Sequence, residues 1–305
     1  MTNPDRYKDA PKVTQTEVAE GLKETGLKPG DVVLVHSAMR TLGHVDGGAE
    51  TVVAALLEML GERGTLVVPT FTFVHQAEED PIIDPANDPS EMGIITETVR
   101  QRPNALRSTT YRHSFAAIGR RAQVITEVDP ALSPFDLRSS FGVMLALNTQ
   151  VLLLGLTYAI STSHHFAEWV CDVPYRHTID LQVKVRRKDG SIVQQAMLDY
   201  QPFTYTGSSR PDFNRLGRIL EQHGLVGMAA IGNAAVRRFG MRDLVDLAVA
   251  ADDPYIFRTP EGQTDYFTPL DFGKIVFGPE TLDDCGRPTR SKWCVMDEKK
   301  LLMPA

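Results

Sequence analysis

Three short apolar runs constrain this chain more than anything else in it. They are Val32–Val35 within KPGDVVLVHSAM, the TLVVPTFTF stretch that begins at Thr65, and QVLLLGL from Gln150. Unbroken apolarity, rather than alternation with polar residues, is the pattern of a strand covered by helices on both faces. Between the first two runs, GGAETVVAALLEMLGERG sets Val52, Val53, Leu56, Leu57 and Leu60 on one stripe, the periodicity of an amphipathic helix. A strand, helix, strand unit of this kind predicts a layered α/β domain.

The remaining segments extend that reading. A first helix starts at Thr14 or Thr16 and stops at Gly26, a residue suited to a helix C-terminus. Residues 75–90, HQAEEDPIIDPANDPS, are rich in acid and proline and predict a long loop, a kind of segment that is often functional. MGIITETVRQRPN is helical and SFAAIG extended, while LQVKVRRKDGSIVQQAML alternates around Asp189-Gly190 as a hairpin does. PDFNRLGRILEQHG and AAVRRFGMRDLVDLAVAADDP both carry helical spacing. The expected fold is a three-layer α/β/α arrangement with a mixed central sheet and an inserted antiparallel hairpin that supplies the antiparallel character. No linker divides the chain, so 1–257 form one domain and 258–305 a C-terminal extension packed on it.

Composition narrows the function classes. A chain of 305 residues with 42% hydrophobic content buries a substantial core, and 32 basic against 39 acidic residues give a net charge of -7. That balance argues against nucleic acid as a partner and suits neutral or cationic ligands. Cys171, Cys285 and Cys294 are odd in number and widely spaced, which fits neither a disulfide framework nor a thiolate metal site. The polar N-terminus lacks a signal-peptide centre, and no apolar stretch reaches the roughly 20 residues of a membrane span. The expected home is the cytoplasm, with no membrane partner.

Chemistry-bearing residues gather after the apolar runs. STSHHFAEW follows the buried strand directly, where open α/β sheets place ligands. In a helix capped at Ser161 or Thr162, His165 and Glu168 are three apart and share a face, so a carboxylate can fix the imidazole tautomer for general-base work. A solvated His and Glu on an ordinary helix is the plain alternative. Metal ligation is disfavoured, because His164 and His165 point about 100° apart and Trp169 follows the Glu where a zinc motif needs His. VHSAMRTLGHVDGGAET ends a strand at Ser37 and carries Gly47-Gly48 before a helix N-terminus, a place where backbone N–H groups can meet phosphate; a structural turn explains the glycines equally. His36 reads as a core histidine and Cys171 as a buried structural thiol. RSTTYRHS gathers Arg107, Arg112, His113 and Ser114, and the acidic loop is either a solvated surface or a site for a polycation.

Taken in order, VLVHSAMRTLGHVDGGAETVVAALLEMLGERGTLVVPTFTF, EMGIITETVRQRPNALRSTTYRHSFAAIG, SPFD, VLLLGLTYAISTSHHFAEWVCDVPYR and, more faintly, GLVGMAAIGNAAVRRFGMRDLVDLAVAADDPYIF resemble the aminoglycoside 3-N-acetyltransferase family over about residues 14 to 257. The resemblance implies an acetyl-CoA-dependent N-acetyltransferase that modifies a primary amine of an aminoglycoside-type antibiotic, a resistance activity. The alternatives are an acyltransferase for a small biosynthetic amine and a non-catalytic CoA-binding relative. The partners implied are CoA and a small-molecule amine, with a homodimer as a possible assembly. The family's Thr-Ser-Leu-His-x-Ala-Glu segment falls on Thr162 to Glu168, which makes His165 the general base and Glu168 its orienting partner. The coenzyme contacts implied are Ser37, Ala38, Met39, Arg40, Gly47, Gly48, Arg107, Ser108, His113 and Ser114. Those implied for the acceptor are Thr70, Phe71, Glu78, Glu79, Tyr111 and His164. Two departures stand out: Thr110-Tyr111 replaces the family's His-Pro, and His164 replaces an apolar residue.

Overall fold

The computed structural model describes residues 12–73, 75, 80–110, 112–202, 209–253, 255–260, 276–277, 295–297 and 300–301. The chain opens with β1 (Lys12–Val13) and α1 (Gln15–Glu24), then β2 (Val32–Ser37), β3 (His44–Val45), α2 (Ala49–Leu60) and β4 (Thr65–Pro69). Next come β5 (Ile82–Ile83), α3 (Ile94–Arg100), β6 (Leu106–Arg107), β7 (Phe115–Gly119), α4 (Ala122–Thr126), α5 (Ser140–Ala146), β8 (Gln150–Leu154) and α6 (Ser163–Val170). The hairpin β9 (Arg176–Arg186) and β10 (Ile192–Pro202) precedes β11 (Ser209–Pro211), α7 (Phe213–Gln222), β12 (Val226–Ile231), β13 (Ala234–Gly240), α8 (Met241–Ala250) and β14 (Arg258–Pro260). Thr14 starts α1 through a capping box: its side chain accepts from the Glu17 N–H, and Glu17 accepts from the Thr14 N–H at 2.7 Å.

Seven strands form the central sheet in the order β12-β13-β8-β2-β4-β7-β6. The middle pairs β8–β2 and β2–β4 are parallel, and the flanks are antiparallel. Alternation of side chains along each strand divides the core in two. Val32, Leu34, Val67, Val151 and Leu153 face the cluster built with α5, α6, α7 and α8, whereas Val33, Val35, Leu66, Val68, Leu152 and Leu154 face α1, α2 and α3. These central strands carry no polar face because both of their faces are covered, so the three-layer expectation holds.

Two expectations need correction. Ala234–Gly240 is a strand, not the start of a helix; only Met241–Ala250 is helical. Its arginines misled the helical reading, since Arg237 and Arg238 take up polar partners across the sheet: Arg237 Nε bonds Glu221 at 3.1 Å, and Arg238 Nε and Nη1 bond Thr25 O and Gln150, each at 2.9 Å. The antiparallel character of the central sheet therefore comes from β12–β13, β13–β8, β4–β7 and β7–β6. The hairpin β9–β10 is a separate three-stranded sheet with β5 and runs longer than its sequence pattern suggested, from Arg176 to Pro202. Among the described residues no helix is long and apolar enough to cross a membrane.

Candidate active site

Because β2, β4 and β8 run parallel, their C-terminal ends emerge at one edge of the sheet. Pairing of Pro69 with Phe115 brings the start of β7 to the same edge, together with His113 and Ser114. Strand β8 leads through Gly155 and a short turn into α6, so the helix carrying both histidines begins beside the end of β2. His36, next to last in β2, is almost fully buried there, with Nε2 3.4 Å from Thr162 Oγ1. Burial lowers its pKa to about 4.

At the centre His165 Nδ1 lies 2.7 Å from Glu168 Oε2, one helical turn away. The His165 side chain is 25% exposed and Glu168 2%, so the imidazole reaches the surface of the site and its carboxylate lies beneath. Tyr175 donates its hydroxyl to Glu168 Oε1 at 3.1 Å. Arg176, the first residue of β9, places Nε 2.7 Å from Glu168 Oε2 as an ion pair and Nη2 2.9 Å from His165 Nδ1. Burial holds the His165 pKa below the ordinary imidazole value; Glu168 pulls it up, and the Arg176 charge pushes it down again. The ring is walled by Phe213, edge-on at 4.8 Å between centroids, and by Phe135 at 6.1 Å. His113 sits 4.9 Å from both Phe71 and Phe135, and burial takes its pKa down to about 3.

The other expected positions divide into three groups. Ser37, Ala38, Met39 and Arg40 run from the end of β2 into a short turn, with Arg40 exposed, and Gly47-Gly48 precede the N-terminus of α2. Both glycines take the left-handed conformation (φ 73° and 66°), and a Cβ on Gly48 would meet nothing within 4 Å, so the backbone there is open to a ligand. By contrast, Thr70, Phe71, Arg107, Ser108 and Ser114 face inward. Arg107 donates to the carbonyls of Thr70, Pro85 and Asp88 and to the Thr72 hydroxyl, and burial lowers its pKa to about 10. Ser108 Oγ accepts from the Phe115 N–H, and Ser114 Oγ donates to Thr70 O. These residues brace the loop after β4 against the start of β7. Glu78, Glu79 and Tyr111 lie outside the described residues.

His164, expected as an acceptor contact, lies in the core. It is fully buried on the other side of α6, stacked on Phe213 at 4.9 Å and 22°, because adjacent helical positions diverge by about 100°. Burial lowers its pKa to about 3. In the acidic loop, Asp80 pairs with Lys184, Asp84 with Arg186 at 3.2 Å and Asp88 with His75 at 3.0 Å, so these carboxylates already have cationic or imidazole partners. A cavity of about 530 Å3 lies between β6 and the hairpin, lined by Arg100, Leu106, Glu127, Arg186 and Lys188 among others; neither His165 nor Glu168 borders it. Among the described residues no group of three or more His, Cys, Asp or Glu side chains is placed to hold a metal ion. Cys171 is a free thiol whose pKa burial raises to about 12. Sequence reasoning assigned no role to Tyr175, Arg176, Phe135 or Phe213. The first two stand in the CDVPYR stretch already noted for its resemblance, but no spacing rule links a strand residue to a helix seven or more positions earlier.

Known proteins share this arrangement. The family model for aminoglycoside 3-N-acetyltransferase matches residues 34–251. Aminoglycoside N(3)-acetyltransferase VII of Streptomyces paromomycinus is 32% identical over 263 residues, covering 78% of this chain and 91% of its own length. Aminoglycoside N(3)-acetyltransferase IV from Salmonella sp is 32% identical over 254 residues, covering 81% and 92%. Among solved structures, aminoglycoside acetyltransferase AAC(3)-IVa in its apo form superposes with a TM-score of 0.66 at 29% identity, covering 81% of this chain and 92% of its own. AAC-IIIb in a binary complex with CoASH shares the fold, with a TM-score of 0.70 at 23% identity and coverage of 78% and 96%. The chain thus belongs to the aminoglycoside 3-N-acetyltransferase family, whose members are acyltransferases with acetyl-CoA as co-substrate.

Proposed function

We propose that this protein transfers acetyl from acetyl-CoA to a primary amine of an aminoglycoside by direct attack, with His165 as general base and Glu168 as its orienting partner. The observation that carries the reading is the 2.7 Å contact between His165 Nδ1 and Glu168 Oε2 at the C-terminal edge of the parallel strands. A neutral imidazole has one ring proton. Held on Nδ1 by the carboxylate, it leaves the Nε2 lone pair free for the acceptor.

An alkyl ammonium, with an ordinary pKa of about 10, has no lone pair to attack with, so near neutral pH its proton must leave before or during the reaction. With one ammonium proton already given to solvent, the free amine nitrogen bonds to the thioester carbonyl carbon while His165 Nε2 takes a second N–H proton. As the tetrahedral adduct collapses, the C–S bond breaks, and the imidazolium returns a proton to the departing thiolate. No acyl-enzyme forms. The exposed Arg40 side chain, the open backbone at Gly48 and the N-terminus of α2 suit the phosphates of CoA. Arg107, Ser108 and Ser114 act as braces for the loop after β4.

The test measures release of free CoA thiol from acetyl-CoA with gentamicin-like, kanamycin-like and small amine acceptors. His165→Ala lowers transfer at least about 100-fold with CoA affinity unchanged, the usual worth of a general base. Near-normal turnover in that variant rejects the base, and release with small amines alone rejects the aminoglycoside.

A further inference from the structure

Glu168 and His165 share a third neighbour that the dyad reading does not need. Arg176 enters from the start of β9, and its guanidinium lies over the Tyr200 ring at 5.3 Å. Tyr200 in turn packs edge-on against Trp169 at 5.1 Å. The cation is thus held from behind by the hairpin, and it faces the dyad with Nε 2.7 Å from Glu168 Oε2 and Nη2 2.9 Å from His165 Nδ1. Its side chain is only 10% exposed, so water screens it weakly.

Nδ1 cannot serve both neighbours. Protonated, it donates to Glu168 and meets an N–H of Arg176 head-on; unprotonated, it accepts from Arg176, its lone pair faces the carboxylate, and the proton moves to Nε2. Glu168 Oε2, which can only accept, decides between these states: at 2.7 Å it takes the Nδ1–H bond, and the proton stays on Nδ1. A lone carboxylate beside an imidazole draws a second proton onto the ring, and an imidazolium cannot act as a base. A carboxylate already paired with a guanidinium still accepts the Nδ1–H bond but no longer calls for a full positive charge on the ring.

We propose that Arg176 is a positioning residue for the dyad: its guanidinium neutralises Glu168 and thereby keeps His165 uncharged, with the proton on Nδ1 and the lone pair on Nε2. The inference rests on His165 being the base. The charged and titratable groups around the ring fit it. Glu168 and, on the far side, His164 come from α6; Arg176 and Tyr175 come from β9 and the turn before it; Arg112 and His113 come from the loop before β7; Tyr200 comes from β10. Arg112 is itself paired with Asp199 at 2.8 Å, and Arg258 lies over Tyr175 at 4.3 Å. The remaining walls, Phe135 and Phe213, are uncharged. Arg176 is therefore the cation that touches both members of the dyad.

The experiment is 15N-histidine NMR of the full chain between pH 4 and 9, paired with the pH dependence of kcat/KM for an aminoglycoside. In the unsubstituted protein at pH 7, His165 shows a protonated Nδ1 and an unprotonated Nε2; the reverse pattern overturns the proposal, even if every variant misfolds. In Arg176→Gln the His165 midpoint rises by about one pH unit, the size expected on losing a nearby like charge. The acidic limb of kcat/KM moves with it, while the rate at pH 9 stays within about threefold. Arg176→Lys keeps a cation and falls between the two. A uniform drop in rate at every pH, with an unmoved midpoint, identifies Arg176 as a merely structural residue and sinks the proposal. Full transfer by His165→Gln would instead break the general-base reading, which the NMR midpoints leave separate.

Discussion

Helix α6 turns two adjacent histidines in different directions, and the two sides of that one helix have little else in common. His164 goes into the core, stacked on Phe213, and neither ring nitrogen has a hydrogen-bond partner in the protein among the described residues. His165 goes to the end of the parallel strands, where a guanidinium and a tyrosine hydroxyl surround the pair it forms with Glu168. The same side chain is a flat aromatic filler in one place and the partner of a buried carboxylate in the other. Residue type alone therefore carries no chemistry; the roughly 100° between successive helical positions decides which neighbours a side chain meets.

The most severe way to break this contrast is to remove Phe213, the ring that both histidines touch, by face on one side and by edge on the other. Phe213→Ala leaves a cavity under both and should cost about 3–5 kcal/mol of stability, read from denaturant unfolding. Next in size is the loss of transfer, and it must be one-sided. Glu168→Gln keeps the shape but frees the imidazole to flip, so kcat falls about 10- to 100-fold, less than for loss of His165 itself. Taken singly, a smaller effect follows from each of the buried rings at His36, His113 and His164, whose pKa values lie near 4, 3 and 3 against about 6.5 when unfolded. Each takes up a proton more readily when unfolded. The stability they support is complete above about pH 6.5 and is lost as pH falls from there toward the folded values. Each contributes at most about 1.4 kcal/mol per pH unit in that window. Unfolding curves at pH 7 and pH 5 should show the loss, and His164→Phe should reduce it. The smallest effect sharpens the contrast furthest: the same His164→Phe variant should retain acetyl transfer within about threefold, because its ring meets Phe213 and the core.

Much of this was legible before any coordinates. The apolar runs at Val32, Thr65 and Gln150 have no polar alternate positions, so a double-sided cover of helices was the only way to bury them. The three-residue step from His165 to Glu168 and the position just after β8 together pointed to the dyad. Other features were not legible, each for a stated reason. Strand β13 reads as a helix because its arginines interrupt the apolar pattern, and their partners Glu221, Thr25 and Gln150 are distant in sequence. The bonds of Arg107 to the carbonyls of Thr70, Pro85 and Asp88 join residues 19 to 37 positions apart, which no local pattern records. His164 falls in a motif next to His165, and motif position says nothing about which way a side chain leaves the helix.

By itself the sequence determined the layered architecture, the family and the shared helical face of His165 and Glu168, because each depends on local periodicity or on ordered blocks of chain. Tertiary structure alone decided that Arg176 stands beside that pair and that His164 is buried against Phe213. Both outcomes depend on how the β9–β10 hairpin and α7 pack around α6, and packing between distant segments follows from the shape of the assembled core and leaves no periodic trace in the chain.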